Sequence, residues 1–287
     1  MNKFRKIIML LIIIPFLIFL TSCDSFLNID LTGHNDSEII DFVNNVQTES
    51  VTKTIRVEAK YYKTNLSYMN DIPDATSIGS GAIYKKSGSR YYALTNNHVV
   101  SKKQHSKTSG IITFSYAKYT VYDAYNNSFS ADVLYSAINY DLALLTFERS
   151  TKLENENKLG VFEISTSKLN TSSMLCAIGE CLGQRNFIYV GYYQKMQKFS
   201  PNEETVEISN VTFDVIVHTA KIDSGSSGGA LIDENFKLVG INFASASIES
   251  TDKYICTYAI PATRINEFLN DYEGVSWKIL MIWFTIK

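Results

Sequence analysis

From Val51 onward the chain is written in short apolar alternations. Val51, Ile55, Val57 and Ala59 are interleaved with Thr, Lys, Arg and Glu, the two-residue period of a half-buried strand. Strand-like runs then recur at residues 81–84, 91–95, 111–115, 132–135, 142–147, 174–178, 187–191, 211–218, 230–232, 238–243 and 254–260. About a dozen short strands with little helix predict an all-β barrel or sandwich. Residues 101–110 and 148–169 read as polar surface loops. Only two helices are expected. One covers residues 37–43, with Ser37 as cap and Ile39, Ile40 and Val43 on one face. The other follows Pro261 over residues 262–272 and turns Ile265, Phe268 and Leu269 inward. No internal repeat is visible.

The N-terminus reads as a targeting segment. Lys3, Arg5 and Lys6 precede an apolar run over residues 7–20, shorter than the roughly 20 residues a membrane span needs. The run ends in Leu20-Thr21-Ser22-Cys23, which resembles the bacterial lipobox. That resemblance implies cleavage after residue 22 and a diacylglyceryl thioether on Cys23, two acyl chains sufficing for stable anchoring. The expected organisation is a signal peptide (1–22), a lipid-anchored tether with the short helix (23–50), a catalytic domain (51–272) and an apolar tail (273–287). The tail's run Ile279-Leu280-Met281-Ile282-Trp283-Phe284 is too short to cross a bilayer. The whole chain carries 27 basic and 29 acidic residues, and residues 1–22 hold three of the basic ones, so the mature balance is −5. Without a basic block, a nucleic-acid partner is not expected. Cys176, Cys181 and Cys256 lack metal-ligand spacing, and no cofactor or metal is expected. Either a Cys176–Cys181 disulfide or three buried thiols fits the outer face of a membrane.

Three blocks carry chemistry. Leu94-Thr95-Asn96-Asn97-His98-Val99-Val100 offers a base, Tyr140-Asp141-Leu142-Ala143-Leu144-Leu145 a carboxylate, and Gly225-Ser226-Ser227-Gly228-Gly229 a hydroxyl. A serine hydroxyl becomes a nucleophile at neutral pH when a base lies within hydrogen-bond reach and a third group orients that base. The order His, Asp, Ser is that of the chymotrypsin arrangement and of neither subtilisins nor α/β-hydrolases. Asp123 and Asp132 compete with Asp141 for the orienting role. His34, His105 and His218 read as structural or solvated.

The same blocks resemble those of trypsin-fold bacterial proteases of the HtrA (Deg) type. Gly79-Ser80-Gly81 resembles the glycine pair before an early strand, and Ala177-Ile178-Gly179 the strand opening a second barrel. Gly240-Ile241-Asn242 and Ala259-Ile260-Pro261 resemble that barrel's last strands. The likeness covers residues 51–272. It implies two antiparallel six-stranded β-barrels with Ser227, His98 and Asp141 at their cleft, and an oxyanion hole made by the amides of Gly225 and Ser227. Protein or peptide substrates follow, on the extracytoplasmic face. A catalytically silent surface protein binding peptides in the same cleft is the alternative. An esterase fits less well, because Gly229-Ala230-Leu231-Ile232 continues as a strand rather than a helix.

Two departures from digestive trypsins matter. Ser226 stands where those enzymes carry the aspartate that pairs with a newly freed amine. Lys221 stands where trypsin keeps its pocket aspartate. The family default of small or apolar P1 residues is therefore expected, with Ile222, Ile241, Asn242, Phe243 and Ala244 as pocket walls. A Lys221 pointing into that pocket would instead favour acidic P1 residues. HtrA proteins usually add a PDZ domain; residues 273–287 are too few for one, so PDZ gating is not carried over and the oligomeric state stays open.

Overall fold

The structure is a computed structural model that describes residues 34–285, apart from 107, 182, 202 and 249–252. The expected signal segment, the lipid site Cys23 and tether residues 24–33 lie outside the described residues. Helix α1 (Asp36–Glu49) is longer than the sequence suggested and starts earlier, because Asn35 rather than Ser37 caps it. The Asn35 side chain accepts the Glu38 amide, and the Glu38 carboxylate accepts the Asn35 amide in return. The buried face is Ile39, Phe42 and Val46, whereas Ile40 is 58% exposed. A 3-10 turn (Val51–Lys53) stands where the strand was expected to begin.

The next strands form one closed barrel: β1 (Thr54–Tyr62), β2 (Ala75–Ser87), β3 (Arg90–Thr95), β6 (Tyr116–Tyr122), β7 (Ser128–Ala137) and β8 (Leu142–Glu148). They close in the order β1-β2-β3-β8-β7-β6, every pair antiparallel. Between β3 and β6 lie α3 (Asn97–Val100) and a hairpin of β4 (Lys103–Ser106) and β5 (Gly110–Thr113). That hairpin corrects the reading of residues 101–110 as a plain loop. Short α2 (Asn65–Met69) follows β1, and α4 (Thr151–Glu156) interrupts the polar 148–169 segment.

A second closed barrel runs β10-β11-β14-β13-β12-β9. Its strands are β9 (Met174–Cys181), β10 (Gln184–Lys198), β11 (Asp214–His218), β12 (Ala230–Ile232), β13 (Leu238–Ile248) and β14 (Lys253–Pro261). The expected pair of six-stranded barrels is therefore present. Each closes on its own apolar centre: Val57, Ile83, Tyr91, Leu145 and Phe147 in the first, Leu175, Ile216, Leu231 and Val239 in the second. Closure removes the sheet edges that would otherwise invite association.

Helix α5 (Ala262–Thr285) continues well past residue 272, so the apolar tail prolongs the helix rather than ending as a separate segment. Ile265 and Phe268 are fully buried as expected, and Leu269 only partly. Phe268 stacks near Tyr135 of the first barrel (5.0 Å between centroids), and Tyr140 donates to Asp271 at 3.1 Å. The helix leaves the second barrel and clamps the first. Among the described residues, no helix is long and apolar enough to cross a membrane. Cys176, Cys181 and Cys256 are free and buried, so the Cys176–Cys181 disulfide does not form.

Candidate active site

Strand β3 delivers the base to the seam between the barrels. It ends at buried Thr95, and the chain turns into the single turn of α3, whose second residue is His98. Strand β8, paired directly with β3, brings the carboxylate in from the neighbouring strand. Asp141 sits at the end of a tight turn with φ +50°, a left-handed conformation that a short polar side chain tolerates. Its carboxylate is fully buried and held against the histidine at two points. Oδ2 lies 2.8 Å from His98 Nδ1, and Oδ1 accepts the His98 backbone N–H at 2.9 Å. The neighbouring Asn96 side chain donates to the Asp141 carbonyl at 2.9 Å and fixes the turn.

A carboxylate only accepts, so the imidazole proton belongs on Nδ1 and the Nε2 lone pair stays available as a base. The His98 side chain is 29% exposed, open enough to exchange protons with a substrate. Burial disfavours its charged form, but the Asp141 charge and hydrogen bond outweigh that and raise its pKa above the ordinary 6.5. The rival aspartates are placed elsewhere. Asp123 is buried in an ion pair with Arg149 at 3.0 Å, and Asp132 is exposed on β7.

The hydroxyl comes from the turn before β12. Gly225 (φ +97°) and Gly228 (φ +86°) bracket it in backbone conformations that side chains resist. A Cβ on Gly228 would meet the Thr95 hydroxyl at 2.3 Å and the Asn96 amide at 3.1 Å, so the turn lies directly against the histidine segment. A Cβ on Gly79 would fall 2.7 Å from Val99 and 2.9 Å from the Ser227 carbonyl. The Ser227 hydroxyl makes no hydrogen bond to His98 among the described residues; in resting sites of this kind the contact tightens when substrate binds.

The amides of the turn divide into two groups. Ser226 donates to Asp223 O, Gly228 to Asn242 O and Gly229 to Ser226 O, at 2.8–3.0 Å. The amides of Gly225 and Ser227 donate to no acceptor among the described residues. These two unpartnered N–H groups, either side of Ser226, are free to donate to a bound molecule. The Ser226 hydroxyl anchors the turn by donating to the Glu180 carbonyl at 2.7 Å, a neutral bond where digestive trypsins use an ion pair.

The pocket residues are dispersed. Lys221, Ile222 and Asn242 line a crevice of about 10 Å³ with Tyr189 and Ser226, room for one water and no side chain. Lys221 is exposed and Ala244 half-buried, whereas Ile241 and Phe243 are buried. The Asn242 amide is engaged internally. It donates to the Gly229 and Ala230 carbonyls (3.3 and 3.1 Å) and faces His218 Nε2 at 3.0 Å. Because that amide's NH₂ group is already donating, its oxygen must accept, so His218 is the Nε2–H tautomer. His218 is structural, and burial presses its pKa down to about 3.

These features coincide with known proteins. Residues 79–241 match the model of the trypsin-like peptidase domain, more than half of the chain. The chain belongs to the trypsin-like peptidase domain family. The matched span contains His98, Asp141 and Ser227. It is 25% identical over 251 residues to the HtrA-like serine protease of Staphylococcus aureus strain USA300, covering 85% of this chain but only 30% of that relative. Among solved structures it is similar to the HtrA-type protease AlgW with a tripeptide (TM-score 0.57, 23% identity, 80% of this chain and 62% of that one). It is also similar to the Rv3671c protease from M. tuberculosis in its active form (TM-score 0.57, 20% identity, 79% and 84%).

One element beside the site is not legible in the sequence: a strap over residues 203–210 that leaves the second barrel and touches the first. The Asn97 amide donates to Ile208 O at 2.7 Å, and the Asn210 N–H donates to Ile138 O at 2.9 Å. Lys103 pairs with Glu207 at 2.7 Å, and the Phe199 ring lies 4.9 Å from Phe243. Buried Ile208, set in a polar stretch, is the signal it leaves.

Proposed function

We propose that this chain is a lipid-anchored, extracytoplasmic serine endopeptidase working through an acyl-enzyme at Ser227. His98 takes the Ser227 proton through Nε2 as the hydroxyl attacks the scissile carbonyl, then returns it to the leaving amine. Asp141 holds the Nδ1–H tautomer and stabilises the transient imidazolium. The Gly225 and Ser227 amides receive the oxyanion, and a water then repeats the sequence to release the acid. The observation that carries this reading is the two-point grip of Asp141 on His98, at 2.8 and 2.9 Å, beside a serine turn with two unpartnered amides.

A preference for small or apolar P1 residues rests on the resemblance, together with exposed Lys221 at the position where trypsin keeps its pocket aspartate. The anchor rests on the Leu20-Thr21-Ser22-Cys23 sequence. Casein digestion by the mature domain, compared with Ser227→Ala, tests the activity: equal digestion by both forms would remove Ser227 as nucleophile. Incorporation of labelled palmitate in cells, abolished by Cys23→Ala, tests the anchor.

A further inference from the structure

Gly79-Ser80-Gly81 entered above only as a likeness, and the catalytic steps make no use of Ser80. Its placement is unusual for a serine inside a strand. Ser80 belongs to β2 of the first barrel and is fully buried, and the polar atoms of its backbone N–H, carbonyl and hydroxyl are all engaged. Its N–H donates to the Ser227 carbonyl at 2.7 Å. Its hydroxyl donates to the Gly225 carbonyl at 2.8 Å and accepts the Glu180 N–H at 2.7 Å. Its carbonyl accepts the Thr95 hydroxyl at 2.7 Å. One side chain thus touches the serine turn, while its backbone reaches the strand that leads to His98.

The directions of these bonds are set by chemistry. A hydroxyl has one proton; the Glu180 amide can only donate, so the Ser80 proton goes to Gly225 O. The Glu180 carbonyl in turn accepts from the Ser226 hydroxyl at 2.7 Å. A closed path therefore runs from Gly225 O through Ser80 Oγ and the Glu180 backbone N–H and carbonyl to Ser226, fixing the residue that carries one oxyanion donor on its carbonyl side.

The surroundings leave the path no slack. A Cβ on Gly179 would lie 2.6 Å from Ser80 Oγ, and one on Gly228 would lie 2.2 Å from Ser80 O. Real Cβ contacts do not come so close, so both glycines are required for this approach. Without the Ser80 hydroxyl, the half-buried Gly225 carbonyl and the buried Glu180 N–H would both lose their partner, an incentive for the turn to rotate.

We propose that Ser80 is a positioning residue: its hydroxyl, supplied by the first barrel, holds the Gly225–Ser227 turn of the second barrel in the conformation that presents the Gly225 and Ser227 amides to the oxyanion. This inference rests on the endopeptidase reading for its kinetic consequence, but not for its structural one.

Four measurements on Ser80→Ala and Ser80→Cys test it. In hydrogen–deuterium exchange, Ser80→Ala accelerates exchange in peptides spanning residues 222–229, with the first-barrel strands unchanged. With a peptide anilide, kcat falls about 10-fold while KM stays within about twofold, and affinity for a peptidyl aldehyde, which forms an oxyanion adduct, falls in parallel. Ser80→Cys, which keeps a weak donor of similar shape, recovers part of each loss. The acid limb of the pH profile does not move, because the His98–Asp141 pair is untouched. Unchanged exchange at 222–229, or a loss confined to KM, overturns the proposal. A wild-type protein that cleaves nothing would sink the endopeptidase reading, and the exchange comparison would still decide the role of Ser80.

Discussion

Replacing Asp141 by Asn is the perturbation whose outcome the geometry specifies most closely. The carboxylate uses one oxygen for the His98 backbone N–H at 2.9 Å and the other for Nδ1 at 2.8 Å, and it is fully buried. Asparagine has one acceptor and one NH₂ group for the same two positions. If its oxygen turned to Nδ1, the NH₂ group would face the backbone N–H, donor against donor, at a cost of about 1–3 kcal/mol for the buried unpaired groups. The favoured arrangement keeps the oxygen on the backbone N–H and turns the NH₂ group to Nδ1. The imidazole must then carry its proton on Nε2, where the base lone pair is needed. A tautomer trap of this kind lowers kcat by about 10⁴-fold, equivalent to about 5.5 kcal/mol of lost transition-state stabilisation. Steady-state hydrolysis of a peptide anilide, with a thermal melt to confirm folding, provides the assay. A folded Asp141→Asn protein with kcat within tenfold of wild type would refute the reasoning.

The raised pKa of His98 places the acid limb of kcat/KM above pH 6.5, because the base must be neutral to act and activity is lost as pH falls through that pKa; a midpoint below 6.5 in a pH–rate series would contradict this. His218 is held neutral down to about pH 3, whereas in the unfolded chain it takes a proton near 6.5. Stability from this group is therefore complete above pH 6.5 and falls as pH drops toward 3, by up to about 1.4 kcal/mol per pH unit; urea titrations across that window should show a shallower slope for His218→Asn. Gly228→Ala forces a side chain to φ +86° and within 2.2 Å of Ser80 O, and should cost about 3 kcal/mol or more by chemical denaturation. Asp123→Ala removes one of the two carboxylates that hold the fully buried Arg149 guanidinium, Glu154 remaining at 2.7 Å, and should destabilise by about 1–3 kcal/mol while kcat of the folded protein holds, since Asp123 is not the orienting carboxylate.

What the sequence disclosed followed from local pattern. Period-two alternation located most strands, because one face of each is buried in its barrel. The blocks around His98, Asp141 and Ser227 pointed to the candidate reacting groups, because each sits beside residues with one structural use: Thr95 ending β3, Leu142 opening β8, glycines bracketing the serine. What escaped notice depends on distant partners. Residues 116–122 form β6, whose burial comes from β1 and β7 rather than from its own alternation. Of the hairpin at 103–113 the second strand overlaps the expected run 111–115, whereas the first, Lys103–Ser106, is polar and is revealed only by its pairing with the second. Asn242 reads as a pocket wall in sequence, yet its amide is consumed by His218 and two carbonyls from β12 and the residue before it. The start of the helix at 36–49 is ambiguous because Ser37 is as good a cap as Asn35 by residue type, and only the reciprocal bond with Glu38 distinguishes them; its extension to Glu49 lies in a polar stretch where only Val46 is buried.

The central claim is that Ser227 is a nucleophile made reactive by His98. Treating the mature domain with a fluorophosphonate and locating the adduct by peptide mass spectrometry tests it most directly. One adduct on Ser227, absent in Ser227→Ala and strongly slowed in His98→Ala, is the predicted result. Modification of a different serine, or labelling of Ser227 at the same rate without the imidazole, would contradict it.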